Sequence, residues 1–482
     1  MEKESYEIDA LEQKDEELDA YKGEEPAAVR RKRELKQVGL VSLVGLSYFS
    51  LGAMLPWPSP ALSDMAENNA TLVGTEISLT SAEKDMTGSL VYLGTLFGAW
   101  VAGFLVSAVG RRRSLQLIVA PYLVGWLING LAPNPPVLLT GRFILGLAGG
   151  MTTIAGYAFV VELADAHLRG TMATIPTMGI VLGGLYTVSL GYVLAWHVLA
   201  FVCILPPLLL LAGSFYLPES PSYLVVKGRR QQALVILRSL RGDYADVEAE
   251  VADLERRNRV GGGESGWRGL LKADVLKRIA VVVTLFALMQ LCGNFVFMIY
   301  TARVLQATGA PLDPDAITAI AGALKVGGTL AAILLMDRVG RRNCLIGSHA
   351  VNAACLLILG TYVHLAEGAE PGDDSFDRLK WVPTVCVTVA LFFCDIGVHP
   401  VPYVLSSEYF PTNLRAQASS ICISAGTLLT FLVLQLYSPM MELLTQAGLY
   451  WFYGATSVVG VVFCFVAVIE TKGKAVGCSI TK

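Results

Sequence analysis

Twelve apolar blocks, each about 20 residues long, dominate this chain and leave it few ways to fold. A block of that length matches a helix crossing the ~30 Å hydrocarbon core of a bilayer. Within lipid the backbone must satisfy its own hydrogen bonds, and a helix does so inside one segment. The blocks fall at about 38–60, 85–108, 115–133, 137–161, 170–193, 198–217, 279–301, 315–336, 343–365, 383–405, 417–438 and 447–469. Only 16% of the 482 residues are charged, against about a quarter in soluble proteins. The expected fold class is therefore an all-α membrane protein with twelve transmembrane helices.

The charge distribution predicts an orientation. An even number of spans puts both termini on one side. With the N-terminus inside, 31 of the 37 Lys and Arg fall in cytoplasmic segments, as the positive-inside rule requires. Lys84, Arg303, Arg378 and Lys380 fall outside, and Arg142 and Lys325 fall within spans. The tail is acidic from Glu2 to Glu25 and then basic at Arg30 to Arg33, and is expected to be disordered. The first apolar run lies too far from the terminus and is too long for a cleavable signal. Asn69-Ala70-Thr71, an acceptor for N-glycosylation, lies in the first exofacial loop.

Three charged motifs at the cytoplasmic span ends occur twice. Gly110-Arg111-Arg112 returns as Gly340-Arg341-Arg342. Glu162, followed by Arg169, returns as Glu408, followed by Arg415. Glu219-Ser220 returns as Glu470-Thr471. The repeat covers about half the chain and predicts two six-helix bundles related by a pseudo-twofold axis, an architecture common among secondary transporters. The motifs predict Glu–Arg pairs that hold the cytoplasmic ends of the two bundles together and open when the protein opens inward. Arg near helix C-termini is favoured as well.

The expected domains are a tail (1–37), a first bundle (38–217), a cytoplasmic helical linker (218–278), a second bundle (279–469) and a C-terminal tail (470–482). The linker shows Ala233, Leu234, Leu237 and Leu240 at helical spacing, then Val247, Val251 and Leu254, then a weaker Trp267, Leu270, Leu271 and Leu276. Gly261-Gly262-Gly263 is its expected flexible joint. Most of the nine Cys lie within spans as small packing residues, and no spacing suggests a metal. Gly146, Gly149, Gly150, Gly183 and Gly184 predict close helix approach. Arg142, near the outer boundary, is expected to snorkel. His167, His197, His349 and His364 are read as lying at span ends or in loops, with no role.

Together the motifs resemble those of the sugar porters of the major facilitator superfamily. Pro218-Glu219-Ser220-Pro221 follows the sixth span, with Gly228-Arg229 just after. Asp337-Arg338-Val339-Gly340-Arg341-Arg342 ends the eighth, and Pro400-Val401-Pro402-Tyr403 precedes Glu408-Tyr409-Phe410-Pro411 in the tenth. Gln290-Leu291-Cys292-Gly293 is a diverged form of a seventh-span signature. Among branches the chain is most similar to insect facilitated trehalose and sugar transporters. The first-half copy has Ser107-Ala108 where the family has Asp-Arg. The resemblance implies a cytoplasmic gate of Arg111, Arg112, Glu162, Arg169, Glu219, Asp337, Arg338, Arg341, Arg342, Glu408, Arg415 and Glu470.

Depth along the helices points to a site. At ~1.5 Å per residue, Gln290, Lys325 and Asp395 each lie roughly 15–17 Å from the cytoplasmic end of their spans, near the midplane. The family's sugar-binding positions in the second half fall on Met289, Gln290, Phe295, Lys325, Asp395 and Tyr403, and a fifth-span position falls on Thr177. Asn294 is one place off a family Asn. The expected substrate-binding set is Thr177, Gln290, Asn294, Lys325, Asp395 and Tyr403. Lys325 costs ~2.5–3.5 kcal/mol at mid-span and so demands a partner or a task. Asp395 is the obvious partner, and His399 is another ionisable group one turn along. The pair either holds the bundle together, lines the cavity, or couples a proton through Asp395 or His399. Between Val38 and Pro60 there is no carboxylate, where proton-linked carriers of the family have one; this favours facilitated diffusion.

The expected function is uniport of a sugar, trehalose or a hexose, by alternating access at the plasma membrane. Alternatives are a carrier for a polyol or organic anion, and a non-transporting sensor, against which the C-terminal tail of about a dozen residues speaks. No nucleophile–base arrangement suggests an enzyme. The expected partners are a small-molecule sugar and the lipid bilayer. No nucleic acid, cofactor or metal is expected, and the chain is expected to be monomeric.

Overall fold

In a computed structural model of the chain, the described residues are 26–163, 165, 172, 174–242, 246–260, 270–307, 314–367, 379–410 and 414–472. The first half comprises α1 (Ala27–Met54), α2 (Pro58–Glu67), α3 (Ser81–Val109), α4 (Arg111–Gly130), α5 (Pro135–Leu163), α6 (Thr174–Gly191), α7 (Trp196–Val202) and α8 (Leu205–Ser214). Three short helices follow: α9 (Pro221–Val226), α10 (Arg230–Arg241) and α11 (Val247–Val260). The second half comprises α12 (Ala273–Leu291), α13 (Asn294–Ala307), α14 (Pro314–Val339), α15 (Arg341–Glu367), α16 (Val382–Cys394), α17 (Pro400–Glu408), α18 (Arg415–Gln435) and α19 (Tyr437–Ala467). Ten helices among the described residues are long and apolar enough to cross a membrane. The remaining two spans are α4 and the broken pair α16–α17, which completes twelve helices in two bundles.

Several spans are broken where the sequence read as continuous. Pro56-Trp57-Pro58 separates α1 from α2, because a proline cannot donate into the preceding turn. Cys292-Gly293 separates α12 from α13, with Gly293 at φ +82°, a region that only glycine enters freely. Asp395 to His399 separate α16 from α17. α19 bends at Thr445 (φ +63°), which divides the eleventh span from the twelfth. α1 begins at Ala27, so a helix extends about three turns into the segment expected to be a disordered tail. The weak third linker stretch also differs: Leu276 belongs to α12. Trp267 and the expected glycine joint lie outside the described residues.

Each half has its own core. Tyr48, Trp126, Leu145 and Phe159 belong to the first, and Phe286, Leu356, Tyr437 and Tyr453 to the second. Glycines set the closest helix contacts, as expected. A Cβ on Gly150 would stand 2.0 Å from the Thr95 carbonyl oxygen, and one on Gly183 would stand 2.0 Å from that of Phe49. His349 is not at a span end: it lies buried within α15 against Gly460.

The short helices form a small third core of Leu224, Ala233, Leu237, Val247 and Val251. A charged hub ties them to the first half. Asp165 accepts hydrogen bonds from Gln37 (2.9 Å) and Arg241 (2.8 Å) and is ion-paired with Arg33. Arg241 also pairs with Glu250 at 3.1 Å. Motif reading did not single out Asp165, since its partners lie about 70 to 130 residues away in the chain.

Candidate functional site: a charged end and a central polar cluster

The duplicated motifs build the same structure twice. In the first half, Glu219 Oε1 accepts hydrogen bonds from the backbone N–H of Arg111 (2.8 Å) and Arg112 (3.2 Å). In the second, Glu470 accepts from the N–H of Arg341 and of Arg342, both at 3.0 Å. Each carboxylate therefore caps the N-terminus of a long helix, α4 or α15, where amides lack intrahelical partners and the dipole favours negative charge. The preceding glycine is required for two reasons. Gly110 and Gly340 have φ +92° and +96°, and a Cβ there would lie 2.6 or 2.5 Å from the capping carboxylate.

The arginine side chains complete each cluster. Arg111 pairs with Glu162 at 2.9 Å, and Arg341 with Glu408 at 3.2 Å. Ser220 donates to Glu162, and Thr471 donates to Glu408 at 2.5 Å. Arg112 donates to the Phe215 carbonyl and Arg342 to that of Phe465. Burial alone would raise the Glu470 carboxyl, but N–H donors from Lys472, Arg341, Arg342 and Thr471 hold it below the usual 4.5. A depressed carboxylate stabilises the fold above its unfolded pKa and loses that contribution as pH falls through the folded value. Glu470→Gln should therefore cost about 1 kcal/mol of thermal stability at neutral pH and narrow the gap from wild type below pH 4. Melting curves across pH would check this, and equal melting at neutral pH would refute it.

These pairs correct one expectation. The described Glu–Arg pairs of the duplicated motifs, Arg111–Glu162 and Arg341–Glu408, each join helices within one half, not the ends of two halves. The capping carboxylates belong to the segment that ends the same bundle, so the local chain path decides the partner. Arg415 donates to the nearby Phe410 carbonyl, at 3.4 Å. Arg338 is exposed, and its carbonyl accepts from Lys472. Arg169 and the Asp337 side chain lie outside the described residues.

The described hydrogen bonds that join the halves lie at the opposite end. Asp85 Oδ2 accepts from the Ser438 N–H (2.9 Å), its carbonyl accepts from Tyr300 (3.1 Å), and Ser89 donates to Gln435 (2.9 Å). Tyr92 meets Phe295 edge to face, with centroids 5.6 Å apart. Arg142 also lies in this region and is wholly buried, which overturns the snorkelling expectation. It donates to the carbonyls of Thr87 (2.8 Å) and Met54 (2.9 Å) and lies 5.5 Å from the Trp57 ring centroid. Met54 ends α1, so its carbonyl has no partner in its own helix. That orphan oxygen draws the guanidinium inward.

Between the two ends lies the polar cluster. Lys325 on α14 reaches Asp395 at 3.2 Å, and its Nζ lies 3.4 Å from Met298 Sδ on α13. His399 Nδ1 is 3.4 Å from the same Asp395 Oδ1. The break between α16 and α17 makes this possible. It sets Asp395 at the end of one short helix and His399 at the start of the next, anchored by the bond from the His399 N–H to the Cys394 carbonyl (2.9 Å). The His399 ring packs edge-on to Phe295 (5.6 Å) and Tyr403 (6.0 Å), and Tyr403 in turn to Phe286 (5.0 Å).

Of the predicted site residues, the structure brings Lys325, Asp395 and Tyr403 around one break. Gln290 and Asn294 flank the neighbouring break in the α12–α13 span. Both amides are buried, and none of their polar atoms has a protein hydrogen-bond partner. Such atoms are costly unless something else satisfies them. Thr177 lies on exposed α6 surface in the first half, with no described contact to this cluster. His399 was the member of the cluster that sequence reading left without a place in the site.

The family model of the sugar (and other) transporters matches residues 39–477. The chain belongs to that family. Among curated proteins it is similar to the facilitated trehalose transporter Tret1 of Drosophila willistoni (28% identical, 89% of this chain and 49% of that protein). It is also similar to that of Anopheles gambiae (28% identical, 89% and 54%). The chain thus spans about half the length of the curated relatives it matches. Among solved structures it shares the fold of the xylose transporter XylE from E. coli in an inward open conformation. There the TM-score is 0.72 at 22% identity, covering 91% of this chain and 97% of that one. The proton:xylose symporter XylE bound to 6-bromo-6-deoxy-D-glucose gives a TM-score of 0.70, also at 22% identity. In this member of the family, then, both halves carry their charged clusters, and the central polar residues gather in the second.

Proposed function

We propose that the protein is a uniporter that carries a sugar, trehalose or a hexose, across the plasma membrane by alternating access. The observation that carries this reading is the mid-span group Lys325, Asp395, His399 and Tyr403, set in a member of a transporter family whose similar relatives include facilitated trehalose transporters. Gln290, Asn294 and Thr177 belong to the proposed substrate path. The charged end is proposed to be cytoplasmic, since 31 of 37 Lys and Arg gather there. The halves meet at the other end in this structure, so the proposed path opens toward the charged clusters. Each cluster acts in the gate as a brace that keeps the helix ends of its half together as one moving body. First-span residues 38–60 contain no carboxylate, which supports transport without a coupled proton.

Reconstituted into proteoliposomes, the protein should take up radiolabelled trehalose or glucose down its gradient, unchanged by a protonophore. Uptake that collapses with the protonophore would replace uniport by symport. Glu408→Ala removes the partner of both Arg341 and Thr471, and should lower the exchange rate several-fold while leaving expression intact; an unchanged rate would remove Glu408 from the gate. Asn69 is exposed in the loop after α2. Its glycan should be detected as a mobility shift on glycosidase treatment that Asn69→Gln abolishes.

A further inference from the structure

The protein leaves one buried charge unbalanced. Arg142 is wholly buried in the first half, and its two described hydrogen bonds run to carbonyls, which carry only partial charge. Among the described residues of the first half, the Arg–carboxylate pairs engage Arg30, Arg33 and Arg111, and not Arg142. Residues 38–60, which include Met54 and Trp57 beside it, contain no carboxylate. A guanidinium stays protonated in proteins, and a buried charge without a counter-charge is costly.

Polar atoms with no protein partner gather around it. Arg142 Nη2, the indole Nε1 of Trp57 and of Trp126, and both amide atoms of Asn129 are buried without a protein hydrogen-bond partner. All four side chains are fully buried, and they adjoin one another. The Trp57 ring centroid lies 6.1 Å from that of Trp126 and 5.5 Å from Arg142 Cζ. Asn129 follows Trp126 by one turn of α4. Its Oδ1 would stand 2.1 Å from a Cβ on Gly141, the residue before Arg142. The cluster thus joins the α1–α2 corner, α4 and α5.

The chemistry of these atoms is one-sided. Arg142 Nη2, the two indole N–H groups and Asn129 Nδ2 donate, and only Asn129 Oδ1 accepts. A water molecule brings two protons of its own and meets one acceptor for them. A small anion accepts from every donor and neutralises the guanidinium as well. The indole edge is the positive part of the ring, so both Trp side chains favour an anion at Nε1. We propose that the first half binds a single halide ion, chloride, among Arg142, Trp57, Trp126 and Asn129. The ion serves as the counter-charge of Arg142 and pins the α1–α2 corner to α4 and α5. It is separate from the central polar cluster and does not depend on what the protein carries.

The test is thermal unfolding of the full chain in detergent, with chloride replaced stepwise by gluconate at constant ionic strength. The melting temperature should rise with chloride and saturate, gaining about 2–4 °C at ten times the half-saturating concentration. Bromide should act in the same way, and crystals grown in bromide should show an anomalous peak beside Arg142. Trp126→Phe keeps the ring and removes one donor. It should raise the half-saturating chloride concentration by about tenfold, the effect of losing one hydrogen bond to a charged group. Trp381→Phe, at an exposed position, should leave it unchanged. If Trp126→Phe does not fold, Trp57→Phe gives the same comparison. Equal melting in chloride and gluconate overturns the proposal. So does a response that is linear in chloride, or a half-saturating concentration unchanged by loss of the indole donor, since both are general salt effects.

Discussion

Asp395→Leu should nearly abolish recovery of folded protein from membranes, and adding Lys325→Met to the same chain should restore it. Asp395 is the carboxylate 3.2 Å from Lys325 Nζ, at a depth where a lone Lys costs ~2.5–3.5 kcal/mol on insertion scales. Removing one member of a buried pair strands the other charge, at about 3–5 kcal/mol. Removing both replaces the pair with apolar contacts of similar volume, often close to neutral. Fluorescence-detected gel filtration of the two variants beside wild type measures the folded fraction. A single variant as well behaved as wild type would show that the pair does not hold α14 to the α16–α17 break. Transport should be lost in the double variant despite its recovery, because two of the proposed substrate-binding residues are gone. Stability and recognition would thereby be separated in one experiment.

Arg142→Leu should be the most destabilising change in the first half. Arg142 is fully buried, and its guanidinium satisfies the Met54 carbonyl at the end of α1 and the Thr87 carbonyl in α3. Two hydrogen bonds from a charged donor, each worth about 1.5 kcal/mol or more, are lost, and the orphan carbonyl of Met54 stays buried. The expected loss of roughly 3 kcal/mol corresponds to a melting temperature lower by about 5–10 °C. Arg142→Lys should recover little, because one ammonium cannot reproduce the planar fork that spans two carbonyls and meets the Trp57 ring. A thermal-stability assay in detergent reads both variants. A Leu variant that melts with the wild type would return Arg142 to a surface role.

Residues whose partners are local in sequence were the readable ones. The glycines before Arg111 and Arg341 and the polar linker between the halves could all be placed before any coordinates. The charged motifs were recognisable as pairs, but their partners were not. Reading Glu219 and Glu470 as contacts between halves overlooked the nearest cation-like group, the free N-terminal amides of α4 and α15. Carboxylate capping of a helix start competes directly with a longer-range Arg contact. Depth counting did put Lys325 and Asp395 at one level, because rise per residue is constant in a helix. It also named His399 as an ionisable group one turn along, but left it out of the substrate set; the structure puts its Nδ1 3.4 Å from Asp395 Oδ1.

The sequence alone determined that this chain is a pair of helical bundles in a membrane. Apolar span length and the twofold recurrence of charged motifs are properties of a one-dimensional pattern. Tertiary structure decided what each charge does. Arg142 turns inward because α1 ends beside it, Asp165 gathers partners from two distant segments, and Asp395 is shared by Lys325 and His399. Those choices depend on angstrom-scale distances between helices far apart in the chain, where electrostatic and hydrogen-bond energies change most steeply with position.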